Sequence, residues 1–157
     1  KESIEIAKEC EQIALEQTEI DNSDGAELSS FEGESYYANS NGLITKSKNS
    51  KHSLYCSLIA KRDSEMQTAY EYSMALDSRD LTSPSKIGLD AAKMAQQKLG
   101  SRSLKSQKCP IIFTARQSSG LYSQLLGALS GSRQYKKTSF LLDSLGKEVL
   151  PESIDIY

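Results

Sequence analysis

The sequence predicts an α+β fold, in which two to three amphipathic helices pack on an antiparallel β-meander. Apolar residues recur every three to four positions over residues 2–17 and 85–99, which is typical of helices with one buried face. They alternate with polar residues over 53–61, and turn sequences rich in Asn, Asp and Gly lie between the neighbouring segments. The chain has 157 residues, so we expect a single domain over residues 1–157.

The first half holds one helix and the meander. Ile6, Cys10 and Ile13 fall on one face of a helix predicted over residues 2–17, and the polar run at 21–25 ends it. About four strands are predicted after this helix, because each segment has alternating or aromatic residues bounded by short turns. The strands cover residues 28–37, 43–45, 53–61 and 66–75, with a tight Asn-Ser-Asn-Gly turn at 39–42.

In the second half of the chain, the spacing of apolar residues changes from that of strands to that of helices. A helix is predicted over residues 85–99, and Gly100 ends it. The apolar run at 109–114 is typical of a buried strand. A third helix is predicted over about 120–129, with Ser118 and Ser119 as its N-terminal cap. The alternation at the end of the sequence, over 154–157, reads as the start of another strand, and we interpret the chain as a piece of a longer protein.

The composition argues against several classes of function. There are 19 Lys and Arg residues against 21 Asp and Glu, so the chain has no general attraction to nucleic acid or anionic lipid. No apolar run is long enough to cross a membrane. The three cysteines have no CxxC spacing, which argues against a disulfide scaffold or a zinc ribbon and favours the cytoplasm. His52 is the sole histidine, so the chain alone excludes any mechanism that needs two.

Two arrangements similar to known nucleophile sites fail on their details. Ser119 lies between a predicted strand and a predicted helix, but Gln117 stands where the G-x-S-x-G pattern needs a glycine. Helix capping is the simpler role for this serine. Cys56 and His52 would point to the same face of an extended chain, but they lie four positions apart along it and are therefore far from each other. The residues therefore predict no catalytic site.

A more specific pattern runs through the second half. It includes the apolar run at 110–113 and residues 126–131, and its most specific stretch is Thr-Ser-Phe-Leu-Leu-Asp-Ser-Leu-Gly-Lys at 138–147. Together with the turn at 39–42, this pattern closely resembles the central region of the TldD/PmbA family, and in particular its PmbA branch, also called TldE. The resemblance covers essentially the whole chain.

The resemblance implies a cytoplasmic bacterial protein that is longer than this chain and is known as a modulator of DNA gyrase. This chain would be its central part, without the first segment and the C-terminal β-rich domain. The resemblance also implies that the protein works with a TldD subunit as a heterodimeric zinc metalloprotease, which acts on unfolded peptides.

The TldD branch carries the motif H-E-x-x-x-H on the helix after the central strand, where the two histidines bind zinc and the glutamate is the general base. By the resemblance, the matching positions here are Ser123, Gln124 and Ala128. Serine is a poor zinc ligand, glutamine cannot act as a base, and alanine has no donor atom. The resemblance therefore implies a pseudoenzyme with no catalytic residue, metal ligand or cofactor, and zinc is expected in the TldD-type partner.

Such a subunit is expected to contact its TldD-type partner and unfolded peptides, and an exposed sheet edge would hold an extended peptide by strand addition. The residues expected at these contacts are Asn39, Asn41, Tyr135, Ser139 and Phe140. Apolar residues at 140–142 and 154–157 would allow self-association. Two alternatives stay open: a nucleic-acid or gyrase-associated modulator, and a self-sufficient peptidase completed by the missing C-terminal region.

Overall fold

The computed structural model describes residues 2–154, which form two compact units that meet in the sequence between Leu104 and Lys105. The interpretation of residues 1–157 as one domain stays a prediction. Within residues 2–154, none of the helices combines the length and the apolar character needed to cross a bilayer.

The first unit has the α+β architecture that the sequence predicts. Its elements, in chain order, are helix α1 (Glu2–Leu15), strands β1 (Ile20–Ala38), β2 (Ile44–Arg62) and β3 (Glu65–Ala75), a 3₁₀ turn (Ser78–Asp80) and helix α2 (Pro84–Lys98). The strands pair antiparallel in the order β1-β2-β3, so β2 is central and the other two are edges.

The meander has three strands rather than the predicted four, because the segments at 43–45 and 53–61 belong to one strand, β2. The residues between them are Lys, Ser, Asn and His on both faces of the strand, so they show no alternation of apolar and polar positions. The tight turn at 39–42 is confirmed. The Asn39 N–H donates to the Leu43 carbonyl at 3.0 Å, and Gly42 adopts a φ of 82°.

The hydrophobic core lies between one face of the sheet and the two helices. Alternate residues of β2 supply its floor, since Leu54, Cys56 and Leu58 are all fully buried. Burial of each of these leucines contributes roughly 1.5–3 kcal/mol. The helices complete the cluster with Cys10, Ala14, Ile87, Ala91 and Ala92, which confirms the predicted apolar faces.

Gly88 of α2 marks a close approach of the two helices. A Cβ atom at this position would lie closer than 3.0 Å to the carbonyl oxygen of Cys10, and 3.4 Å from the backbone nitrogen of Ala14. Real Cβ atoms essentially never come within 3.0 Å of another atom. The packing of α2 on α1 therefore requires a glycine at this position.

The second unit is helical, with α3 at Ala115–Leu129 and α4 at Gly131–Tyr135. The strand predicted at 109–114 is wrong, because these residues have no regular structure. Pro110 has no N–H to donate to a ladder, and the described residues of this unit include no strand that could pair with the run. Ile154 is not in a strand either, and the rest of the strand predicted at 154–157 lies outside the described residues.

Helix α3 begins five residues earlier than predicted, and Thr114 is its cap. The Thr114 side chain accepts a hydrogen bond from the Gln117 N–H at 3.4 Å. Ser118 and Ser119 are therefore not the cap that the sequence predicts. They lie inside the helix, where their hydroxyls donate to the carbonyl oxygens of Ala115 and Arg116 at 2.8 and 2.9 Å.

Candidate functional site

Helix α3 carries the three positions at which the resemblance implies an emptied zinc motif. Ser123 and Gln124 are exposed, whereas Ala128 is fully buried. Hydroxyl, carboxamide and methyl groups do not fit a zinc ion, which takes imidazole, thiolate or carboxylate ligands. Within residues 2–154, no three His, Cys, Asp or Glu side chains are grouped so that they could hold a metal ion.

A hydrogen-bond network ties the end of α3 to the chain that follows it. The Ala128 carbonyl accepts from the Ser139 hydroxyl at 2.7 Å and from the Gln134 side-chain amide at 2.9 Å. The same amide donates to the Leu141 carbonyl at 3.2 Å, and the Leu141 N–H donates to the Ser139 hydroxyl at 2.9 Å. The network satisfies a carbonyl at the C-terminal end of the helix and holds the turn after α4 against it.

The predicted contact residues of this unit differ in accessibility. Tyr135 is 89% exposed and Phe140 is 74% exposed, so both side chains are free to meet another molecule. Ser139 is only 8% exposed, and its hydroxyl is engaged in the network at the end of α3. The structure gives Ser139 a structural role in the turn. That Tyr135, Ser139 and Phe140 contact a peptide or a partner stays a prediction.

The other two predicted contact residues lie at the tip of the β1–β2 hairpin. The Asn39 side-chain oxygen accepts from the backbone N–H groups of Asn41 and Leu43 at 3.0 and 3.2 Å, so this side chain shapes the turn. Asn41 is exposed. That these two residues contact a peptide or a partner stays a prediction.

The hairpin continues past β3 as a two-stranded ribbon, which we define as residues 31–38 and 44–51, because β3 pairs only with residues 52–62 of β2. Charges pair across it. The Glu34 carboxylate binds Lys46 at 2.8 Å and Lys48 at 3.0 Å, and these hydrogen bonds lower the pKa of Glu34. The Lys46 ammonium also lies 5.1 Å from the centre of the Tyr36 ring.

Two cavities of about 720 and 610 Å³ lie beside β1 at the base of the ribbon, and they share Glu32, His52 and Ser78 as lining residues. His52 is 6% exposed, and its Nδ1 lies 3.0 Å from the Ser30 hydroxyl. The apolar wall of the larger cavity consists of Ile6, Leu28, Leu54 and Leu81. Polar side chains line the same cleft.

Asp77 and Arg79 lie at the rim of these cavities, Asp77 in the smaller and Arg79 in the larger. The Arg79 guanidinium meets both carboxylate oxygens of Asp77, at 3.0 and 2.5 Å, and holds the pKa of Asp77 well below its usual range. No pattern in the sequence predicts this cleft, because its residues come from separate strands, a helix start and a turn. The only local signal is Asp77, a residue type that favours the start of a helical turn.

The cysteines are placed as structural residues. Cys10 and Cys56 are both fully buried in the core, and the hydrogen bond with Cys56, together with burial, raises the pKa of the Cys10 thiol. Cys109 is exposed in the second unit. None of the three forms a disulfide bond.

Two family models match the chain. Residues 1–99 match the PmbA/TldA metallopeptidase central domain, and residues 106–157 match the PmbA/TldA metallopeptidase C-terminal domain. The boundary between the two matches falls at the boundary between the two compact units.

Curated proteins match over nearly the whole chain. The metalloprotease PmbA of Escherichia coli O157:H7 is 36% identical over 156 residues, which are 99% of this chain and 35% of that protein. A metalloprotease PmbA homolog of Haemophilus influenzae is 37% identical over 153 residues, 97% of this chain and 34% of that protein. The chain thus spans about a third of the length of these relatives.

A solved structure shares the fold. It is that of a protein from Bacteroides thetaiotaomicron proposed as a modulator of DNA gyrase. The two structures align with a TM-score of 0.85 and 29% sequence identity, over 94% of this chain and 34% of that one.

Proposed function

This chain belongs to the PmbA/TldD metallopeptidase family, and from that membership we propose that it serves as the non-catalytic, PmbA/TldE-like subunit of a heterodimeric zinc metalloprotease that acts on unfolded peptides. In this proposal a TldD-type partner holds the zinc ion and cleaves the peptide. The present chain binds the partner and helps to hold the extended substrate.

The observation that carries the proposal is the side-chain chemistry of α3. Ser123, Gln124 and Ala128 occupy the positions that the family resemblance assigns to two histidines and a glutamate. His52, the sole histidine, belongs to β2 in the other unit and shares a hydrogen bond with the Ser30 hydroxyl. A peptidase of this type needs an imidazole pair on its metal and a carboxylate beside the attacking water.

The exposed aromatic residues of the second unit support a binding role. Tyr135 and Phe140 present large, accessible side chains, and aromatic residues are enriched at protein interfaces.

We also place the protein in the cytoplasm, a proposal that is supported by the three free cysteines, since reducing conditions keep thiols unpaired.

The test compares the full-length protein alone, a TldD-type partner alone, and the two mixed. Zinc is measured by mass spectrometry, and cleavage is followed on an unfolded peptide. We expect the isolated protein to hold far less than one zinc ion per chain and to cleave nothing, while the mixture cleaves the peptide. Stoichiometric zinc together with cleavage by the isolated protein would establish the self-sufficient peptidase instead.

A nucleic-acid role is the alternative suggested by the name of the Bacteroides protein. The paired state of Lys46 and Lys48, which both bind Glu34, weighs against it, because a phosphate would have to displace an existing partner. Filter binding of DNA across a salt series distinguishes a nucleic-acid role from the role of a peptidase subunit. Steeply salt-dependent binding at physiological ionic strength would favour the alternative.

A further inference from the structure

Among the residues that the structure describes, one of the two edge strands has a backbone that no other segment covers. The β3 edge is partly covered, because the Lys98 ammonium donates to the Thr68 carbonyl at 2.6 Å and the Gly100 N–H donates to the Glu65 carboxylate at 2.9 Å. In β1, by contrast, the backbone of residues 26–38 makes no hydrogen bond to the described chain apart from its ladder with β2. An open row of N–H and C=O groups is a template for another strand.

The two cavities lie on one side of this open edge. Leu28, Ser30 and Glu32 of β1 all line the larger cavity, as expected of alternate residues on one face of a strand. Glu32 and Glu34 line the smaller one. A strand added along this edge would therefore place every second side chain on the cavity side, which is how strand addition gains side-chain specificity.

The charge of β1 indicates which peptide fits. The strand carries five acidic residues and no basic one. Asp21 and Glu34 are paired with lysines of β2, but Glu32 makes no ion pair or hydrogen bond with the described residues. A second copy of β1 would bring like charges together across the new ladder, which is unfavourable. A strand with lysine or arginine at alternate positions would instead supply the missing partner of Glu32.

We propose that the edge of β1 over residues 28–34 binds an extended basic peptide by strand addition, with alternate Lys or Arg side chains entering the cleft beside Glu32. This inference rests on the proposed function, because it names the edge and the class of peptide that the non-catalytic subunit holds. The long aliphatic stem of such a side chain would pack on the apolar wall of the larger cavity, and its charged end would stay near the carboxylate.

Fluorescence anisotropy with the full-length protein alone, in the presence of EDTA, tests the proposal. The probe is a short labelled peptide in which lysine alternates with threonine. We expect it to bind at least about tenfold more tightly than the same peptide with glutamate for lysine. N-methylation of alternate backbone nitrogens keeps the charge but removes the ladder, so it should weaken binding by about tenfold or more. Full affinity of the methylated peptide would overturn strand addition.

A matched pair of variants locates the site. Glu32→Gln should weaken binding of the lysine peptide about threefold to fivefold. Glu27→Gln makes the same charge change on the same strand, but residue 27 pairs with Tyr55 on the opposite face and lines neither cavity, so it should leave the affinity unchanged. Equal effects of the two variants would refute the site. Because the assay involves neither zinc nor cleavage, its failure is distinguishable from failure of the proposed function.

Discussion

Gly88→Ala is the sharpest test of the packing between the two helices of the first unit. The substitution adds one methyl group, which would meet the backbone carbonyl of Cys10 inside the 3.0 Å limit for real Cβ contacts. A side chain in the way could rotate, but a carbonyl inside α1 is fixed by the helix. The two helices must therefore separate, by roughly 0.5–1 Å, and such a gap forfeits roughly a quarter to a half of the dispersion energy of the contacts that it opens.

Two effects of opposite sign set the magnitude. Overpacking of a well-packed core costs about 1–3 kcal/mol, and the backbone obstacle places this site at the upper end. Replacing glycine by alanine within a helix gains roughly 1 kcal/mol of helix propensity. We therefore expect Gly88→Ala to lower the free energy of unfolding by about 2 kcal/mol.

Urea denaturation of the wild type and the variant, followed by circular dichroism, measures this change. Gly120→Ala is the matched control, because Gly120 also lies inside a helix but a Cβ there would meet nothing within 4 Å. That variant should raise the free energy of unfolding of its unit by about 0.5–1 kcal/mol. If Gly88→Ala stabilises the protein as much as the control does, the close approach of α2 to α1 is refuted.

Three further predictions follow from the side chains. Ser139→Ala should destabilise the turn after α4 by about 0.5–1.5 kcal/mol, because the Ala128 carbonyl loses one of its two side-chain donors and keeps the Gln134 amide, and faster proteolysis of that turn would reveal it. Titration followed by NMR should give the Glu34 carboxyl a pKa below that of an ordinary glutamate. Its pairing with the lysines therefore stabilises the ribbon at pH values above the ordinary glutamate pKa, and this stabilisation is lost as the pH falls through the lowered pKa of Glu34. A pKa at or above the ordinary value would disprove this. Iodoacetamide should modify Cys109 in the native protein but Cys10 and Cys56 only after unfolding, and rapid native labelling of all three would contradict their burial.

The parts of the fold that the sequence predicts well are those with a clear apolar period. Helices α1 and α2 and the ladder between β2 and β3 lie close to their predicted positions, because burial of one face imposes the period. The ribbon is harder to predict, because both of its faces are polar. Its strands pair through the backbone ladder, and the Glu34 carboxylate adds ion pairs to Lys46 and Lys48 across it, which hydropathy does not register.

In the second unit, by contrast, the sequence predicts a strand that does not form. Ile111 and Ile112 are exposed within an irregular segment, so hydrophobicity without a pairing partner does not make a ladder. For the site, the residues at 123, 124 and 128 could be named from the family motif. The cleft around Glu32 could not, because it brings together residues from 3 to 84 that only the folded chain makes neighbours.

The ribbon has eight residues in each strand beyond the last rung of β3, and at about 3.3 Å per residue its length is roughly 26 Å. Within residues 2–154, neither a third strand nor the hydrophobic core pairs with or packs on this length, so its amides should exchange with solvent progressively faster towards the Asn39 turn. A substitution near the Asn39 turn can therefore change which molecules the ribbon contacts. It leaves the packing of the hydrophobic core in the first unit unchanged.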